Sequence, residues 1–454
     1  MKKKYLLYAI SSICILGIVS ALFFINRPPE SNVKKNKTTA FDTTGINLKD
    51  RPNIIVILGD DIGYDAMACN GNQSFQTPNI DRMAQEGMRF TQCHGSPLCS
   101  PSRFMFITGK YNFRNFTEWG VMDPKEKTFA NILSDGGYAT YVAGKWQFDG
   151  GDASIRNFGF DGYTVWDPLE YDTHGTIYKN PRIYENATFS TKDETANKFG
   201  DDIFTDHILS FIAKNRTRNF FVYYPIGLCH PPFTPTPDDP EFVNWVSANR
   251  HSDSSFFPSM MKYMDKKVGQ IIDSVKSWKL YDNTIIMFVG DNGTPKGIFY
   301  NYKGKITQGA KGIPTEAGTK VPFFVTWPKK IKAGQVNNNL VDFTDFLPTL
   351  AEAAGLKVPQ SYDPIDGKSF YSQLTGQPSI PRDWIFCHFN PHNNSNNKTT
   401  RWIQDTTYKL YDGNGNFFNI AADPGEKNPI KAISITAQEK QIKAKFQNTM
   451  NGLK

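Results

Sequence analysis

Histidine and cysteine are scarce in this chain, at seven and six of its 454 residues. No His or Cys cluster has zinc-ligand spacing, which argues against a zinc centre. The cysteines are Cys14, Cys69, Cys93, Cys99, Cys229 and Cys387. Cys14 lies in an N-terminal apolar run and Cys99 in a motif of its own. The other four are too few for a disulfide scaffold in a chain this long, though one bridge remains possible. No internal repeat is visible. No basic run is interleaved with aromatics, and Lys2, Lys3, Lys4 and Arg27 supply four of the net +7 charges. The remaining excess is too mild to argue for nucleic acid.

What is present begins with MKKKYLLYAISSICILGIVSALFFINR. Three lysines precede an apolar run from Tyr5 to Ile25. This pattern is an export signal or an uncleaved membrane anchor over residues 1–27. The run is long for a signal, which favours an anchor, while Val19-Ser20-Ala21 would serve as a cleavage site. Either way the bulk of the chain is expected outside the cytoplasm, periplasmic or membrane-anchored. Residues 28–50 are polar and read as a tether. Beyond them, short apolar runs alternate with helical patterns. NIIVIL, YATYVAG, FFVYYPI, TIIMFVG and VPFFVTW are the length and texture of strands buried on both faces. An α/β fold follows, with a large, mostly parallel sheet flanked by helices over 51–377. From 378 to 454 the aromatic-rich segments DWIFCHF, RWIQDTTYKLYD and NFFNI predict a small antiparallel subdomain with a closing helix.

The stretch GSPLCSPSRFMFITGKY, Gly95 to Tyr111, poses the central question. Pro101 suits a first helical turn, Ser100 a cap, Phe104 to Ile107 a buried face, and Gly109 a helix end. That explains a helix. It does not explain a cysteine at its positive end beside Arg103, where a reactive group would be activated.

In open α/β sheets, ligands bind beyond the carboxyl ends of the strands. There the sequence supplies Asp60 and Asp61 after NIIVILG, and Lys145, Trp146 and Gln147 after YATYVAG. His230 follows FFVYYPIGLC, and Asp291 and Asn292 follow TIIMFVG. Three like-charged carboxylates brought together need a cation. With an amide oxygen they form a hard, all-oxygen set suited to Ca²⁺ or Mg²⁺.

Cys99-Ser100-Pro101-Ser102-Arg103 followed by Thr108-Gly109 matches the pattern C-x-P-S-R-x-x-x-x-T-G. With GDDIGYD, AGKW, DNGT, GAKGIPTEAGTKVPF and DGKSF in order, the chain resembles the type I formylglycine-dependent sulfatases. These are the arylsulfatase-like branch of the alkaline phosphatase superfamily. The resemblance implies that a formylglycine-generating maturase oxidises Cys99 to formylglycine. It implies Ca²⁺ held by Asp60, Asp61, Asp291 and Asn292 beside residue 99. It gives Arg103 the role of holding the formylglycine hydroxyl, Lys145 and Lys311 that of gripping sulfate, and His230 that of assisting the leaving alcohol. The implied substrate is a sulfated carbohydrate or aryl sulfate. The family pattern has histidine two positions after the first lysine, where this chain has Gln147, a side chain that takes no proton near neutral pH.

Two other readings stand beside this one. The first is a phosphate mono- or diester hydrolase of the same superfamily, which would use a second metal. The second is a sulfoglycan-binding relative that has lost catalysis. His94 is expected to pack beneath the signature helix, and His174, His207 and His251 to be structural. His388 and His392 flank a polar loop and are candidate sugar contacts. Trp119, Trp146 and Trp166 are read as core packing before sugar stacking.

Overall fold

The computed structural model describes residues 50–169, 176–246, 251–390 and 399–453. The expected export segment, most of the tether, Cys14, His174 and His392 lie outside the described residues. Among the described residues, no helix is long and apolar enough to cross a membrane.

Ten strands form the main sheet: β1 (Asn53–Gly59), β2 (Met88–His94), β3 (Ala139–Gly144), β4 (Gly162–Trp166), β5 (Ile183–Glu185), β6 (Thr188–Phe189), β7 (Phe220–Ile226), β8 (Thr284–Gly290), then β11 (Lys320–Thr326) and β12 (Gln335–Asp342). A separate hairpin, β9 (Phe299–Tyr302) and β10 (Lys305–Gln308), comes between β8 and β11 in the chain. The spatial order is β12-β2-β11-β8-β1-β7-β3-β4-β5-β6. β8, β1, β7, β3 and β4 run parallel, and the first four of these are continuous apolar runs of the sequence. Side chains alternate between faces. Ile54, Val56 and Leu58 enter one core with Phe104 and Phe106 of the signature helix, and Ile55 and Ile57 enter another with Met260 and Met264 of the helix Phe257–Ser277.

The sequence pattern departs from the structure at one side of this sheet. VPFFVTW forms β11, but it runs antiparallel between β8 and β2. Apolar texture reports burial on two faces, not strand direction. β2 and β12 carry polar residues such as Thr91, Gln92 and Asn337, and show no apolar run to mark them. They pair with each other in parallel, with β12 at the sheet edge.

The C-terminal segments form an antiparallel sheet of β13 (Ile385–Phe389), β14 (Thr400–Gln404), β15 (Tyr408–Tyr411) and β16 (Phe417–Asn419). The helix Ala437–Gly452 closes it with Phe446 and Met450 buried. Its start is fixed by a capping box between Thr436 and Glu439. Both sheets belong to one compact unit. Arg382 joins them, bridging to Leu340 and pairing with the buried Asp345. Cys69, Cys93, Cys99, Cys229 and Cys387 are all free.

Gly144 ends β3 and delivers Lys145 to the sheet edge. Its φ is +118°, and a Cβ there would sit 2.2 Å from the Pro225 carbonyl oxygen. Backbone strain and overlap act together at this point. Gly144→Ala should therefore destabilise the protein by about 2–4 kcal/mol, read as a lower urea midpoint. A wild-type midpoint would show that the β3–β7 junction is not close-packed.

Candidate active site

The signature helix runs Cys99–Thr108, with all ten residues buried. Leu98, not Ser100, is the N-cap residue, so Cys99 is the first helical residue. The Ser100 hydroxyl caps nothing and has no partner, while the Ser102 hydroxyl accepts from the Ser96 N–H at 2.8 Å. The difference is two residues of register: Pro101 fits inside the first turn as well as at its start. Gly109 ends the helix in a left-handed conformation, its N–H bonded to the Met105 carbonyl.

Four loops converge on Cys99. Asp60 and Asp61 follow β1, and Asp61 turns the chain with φ +60°, a conformation Asp tolerates. Oxygens of Asp60, Asp61 and Asp291 lie within 4.8 Å of one another. So do an Asp60 oxygen, the Cys99 sulfur and a His230 nitrogen. Lys145 Nζ lies 2.5 Å from Asp60 Oδ2, and Lys311 Nζ lies 2.6 Å from Asp61 Oδ2. Arg103 Nη2 reaches Asp60 at 3.2 Å and Asp291 at 3.1 Å, while its Nη1 donates to the Lys145 carbonyl at 2.6 Å. Its guanidinium thus spans two carboxylates and the β3 loop, a role the sequence did not indicate. Gln147, also at positive φ, donates from Nε2 to Cys99 Sγ at 3.1 Å.

The charges in this site balance, three acids against three bases, and burial sets their strengths. Burial alone would raise the Asp60 pKa, but Lys145, His230, Arg103 and Lys311 hold it well below the carboxylate range. Burial and the neighbouring Asp60 push Asp291 up to about 7. For Lys311, burial is outweighed by Asp61, and its pKa rises. Burial pushes the Cys99 thiol up, and the lysines do not reverse it. The activation expected at a helix N-terminus therefore does not extend to the thiol itself. Burial, then Lys145 and Lys311, lower His230 to about 4. Its Nδ1 lies 2.6 Å from the Pro231 carbonyl, which can only accept. Nδ1 carries the hydrogen of the neutral ring, so Nε2 presents a lone pair.

The residues fit a hard cation. Asp60 Oδ1 and Asn292 Oδ1 are buried without a hydrogen-bond partner, and Asn292 Nδ2 is turned away to Asp61 at 2.8 Å. Unpartnered carboxylate and amide oxygens, beside three clustered carboxylates, are the donor type Ca²⁺ binds.

Two supports are not among the candidates drawn from the sequence. The Tyr178 hydroxyl bonds the carbonyls of Gly227 and His230 at 2.8 and 2.5 Å and fixes the histidine loop. Nothing in its sequence context marks it. Thr294 accepts from the Gly63 N–H at 3.1 Å, tying the two acidic loops, and its place in DNGT was a usable signal.

The other candidates divide. His94 is buried on β2, 3.7 Å from Glu316, with its pKa lowered by burial to about 3. His207 sits 3.2 Å from Glu185, and His251 stacks on Trp245. Trp146 packs among Phe148, Phe158 and Phe160. His388 lines a cleft with Asn112, Phe113 and Arg114.

The family model for sulfatases matches residues 52–356, and a model for the C-terminal part of N-sulphoglucosamine sulphohydrolase matches residues 311–454. The chain belongs to the sulfatase family and is a sulfuric ester hydrolase. It is 27% identical to Arylsulfatase G of Mus musculus over 403 residues, covering 76% of this chain and 73% of that protein. It is 26% identical to an N-acetylgalactosamine-6-O-sulfatase of Bacteroides thetaiotaomicron over 482 residues, covering 84% and 89%. A solved structure in complex with its substrate D-glucosamine-2-N,6-O-disulfate shares the fold, with a TM-score of 0.72 and 21% identity over 88% of this chain and 98% of that one.

Arg103 should be indispensable to the folded site. Arg103→Met leaves two buried carboxylates without their shared partner. A loss of about 3–5 kcal/mol in urea unfolding is expected. A loss under 1 kcal/mol would show that the lysines suffice.

Proposed function

We propose that this enzyme hydrolyses a sulfate ester on a carbohydrate and releases inorganic sulfate. In this reading Cys99 is converted to formylglycine, and one Ca²⁺ is held by Asp60, Asp61, Asp291 and Asn292 beside residue 99. The observation that carries the reading is the meeting of Cys99, three carboxylates, two lysines and His230 at one sheet edge. When present, Ca²⁺ supplies Lewis acidity and the formylglycine hydrate a hydroxyl nucleophile with a second hydroxyl on the same carbon.

The chain's own groups do the rest. Lys145 and Lys311 bring positive charge to the sulfuryl oxygens from two different loops. A bound anionic ester offsets the repulsion these lysines exert on His230. That charge lets Nε2 take up a proton and pass it to the departing alcohol. Gln147 orients the group at position 99 through its amide and transfers no proton. His230 is the group we assign to the second transfer as well, taking the proton of the other hydroxyl on residue 99 as sulfate leaves. The motif the maturase reads is buried, with Ser100, Ser102 and Arg103 at 0% exposure, so conversion precedes folding.

The sulfated sugars named for the two carbohydrate-directed relatives support a carbohydrate substrate. Export is proposed from Lys2–Lys4 and the apolar run after them. Recovery of the mature protein in the cytosolic fraction would overturn it.

Protein made with a maturase should hydrolyse sulfated mono- or oligosaccharides and show a mass loss of about 18 at Cys99, from replacing CH₂SH by CHO. Cys99→Ala should be inactive. Faster turnover of aryl phosphate than aryl sulfate would favour the phosphate-hydrolase alternative. Tight binding of sulfated sugars without turnover by converted protein would overturn the carbohydrate-sulfatase reading.

His230→Ala should lose about 10²–10⁴-fold in rate on a sugar sulfate. The loss should shrink on nitrophenyl sulfate, whose leaving group needs no proton. Gln147→Ala should lose about 1–3 kcal/mol of transition-state stabilisation. Equal His230→Ala losses on both substrates would remove the acid role.

A further inference from the structure

The segment carrying Lys311 is anchored on two sides. On one side, the Lys311 N–H donates to the Thr294 carbonyl at 2.9 Å, and the Gly312 N–H to the Pro97 carbonyl at 2.8 Å. These contacts tie it to the metal-ligand loop and to the approach to Cys99. On the other side it meets the inner face of the C-terminal sheet. Lys409 and Tyr411 are two residues apart on β15, so they share that face. The Tyr411 hydroxyl lies 2.9 Å from the Pro314 carbonyl oxygen, its one hydrogen shared between that oxygen and Glu426, and Lys409 Nζ lies 3.4 Å from the same carbonyl. Glu426 holds both: it pairs with Lys409 at 2.9 Å and accepts from the Tyr411 hydroxyl. The same carboxylate accepts the Glu316 N–H at 2.8 Å, and Gln404 of β14 donates to Glu316 Oε1 at 2.9 Å.

This arrangement is costly to bury. Lys409 is 0% exposed and lies 4.0 Å above the Trp402 ring. Glu426 holds a φ of +53°, a conformation non-glycine residues rarely adopt. Replacing a buried ion pair by apolar packing is often neutral or stabilising, so the pair is weak support for stability alone. Its bonds converge on one short segment, residues 314–316, immediately after Lys311.

We propose that Glu426, Lys409 and Tyr411 form a positioning clamp, through which the C-terminal sheet sets the placement of the Lys311 ammonium against the sulfuryl group. These are positioning residues, since none of the contacts above reaches the Cys99 group. The proposal rests on the reading that Lys311 grips the ester.

The test is a double-mutant cycle on the maturase-converted enzyme, with a sulfated sugar or nitrophenyl sulfate. Tyr411→Phe removes one hydroxyl and keeps the ring, and Glu426→Gln keeps the shape and removes the charge. Each should lower kcat about 5- to 100-fold, the range a displacement of about 1 Å produces, with KM little changed. The thermal midpoint should stay near wild type in Tyr411→Phe and fall in Glu426→Gln, which leaves the buried Lys409 ammonium unpaired. Tyr408→Phe, on the opposite face of β15, is the control and should stay within twofold of wild type. In a Lys311→Ala background, adding Tyr411→Phe or Glu426→Gln should cost less than a further twofold. A full additional loss in that background overturns the clamp and leaves the role of Lys311 standing. Wild-type kcat in both single variants overturns the clamp as well. Full activity in Lys311→Ala itself overturns the reading of Lys311, and this proposal with it. If Glu426→Gln unfolds, Tyr411→Phe carries the same cycle alone.

Discussion

Everything at the active edge depends on keeping three carboxylates ionisable in a site with no bulk water to solvate them. Asp60, Asp61 and Asp291 are each fully buried. A buried carboxylate beside a second one shifts its pKa upward, as Asp291 does through burial and the neighbouring Asp60 even with Arg103 against it. Arg103, Lys145 and Lys311 supply three compensating charges, each from a different part of the chain. Arg103 cannot lose its proton and reaches two carboxylates at once, which makes it the fixed member of the set. The lysines are single-point charges on flexible stems, better suited to exchange partners when an anion arrives.

The architecture serves this constraint. β1, β7, β8 and β3 are neighbours in the sheet and parallel, so their carboxyl ends open at one edge. Each is too apolar to be anything but a central strand, and each is followed by a polar residue that could not be buried within the sheet. The signature helix is packed on all sides and presents Cys99 and the Arg103 guanidinium to this edge. Burial there keeps Cys99 a thiol rather than a thiolate. The C-terminal sheet lies behind the Lys311 segment and touches it through buried polar bonds. It is therefore more than a lid on the hydrophobic core.

Much of this was legible from the residues. The five apolar runs are strands, and the helical patterns around Ile80, Leu133 and Ile272 are helices. The acids and Lys145 after the strands do meet, because parallel neighbouring strands force their ends together, while Lys311, marked only by the family resemblance, joins them from the segment between β10 and β11. The aromatic C-terminal segments pair antiparallel as their turn-separated texture implied. β2 and β12 escaped notice because strand pairing through the backbone needs no apolar run. The antiparallel direction of β11 escaped because side-chain pattern carries no information on strand polarity.

By itself the sequence determined the elements, the chemistry available at each loop, and the family motif around Cys99. These are local properties: period, propensity and residue type within a few positions. Only the tertiary structure decided which groups pair and how strongly. Whether Arg103 faces a hydroxyl or two carboxylates is a matter of distance between residues 188 positions apart. Which nitrogen of His230 bears the hydrogen is set by a carbonyl that the fold of its own loop brings to it. That Glu426 reaches the segment beside Lys311 follows from the docking of two sheets, 110 residues apart in the chain. Electrostatic energy falls with distance and rises with burial, and neither quantity exists until the chain has folded.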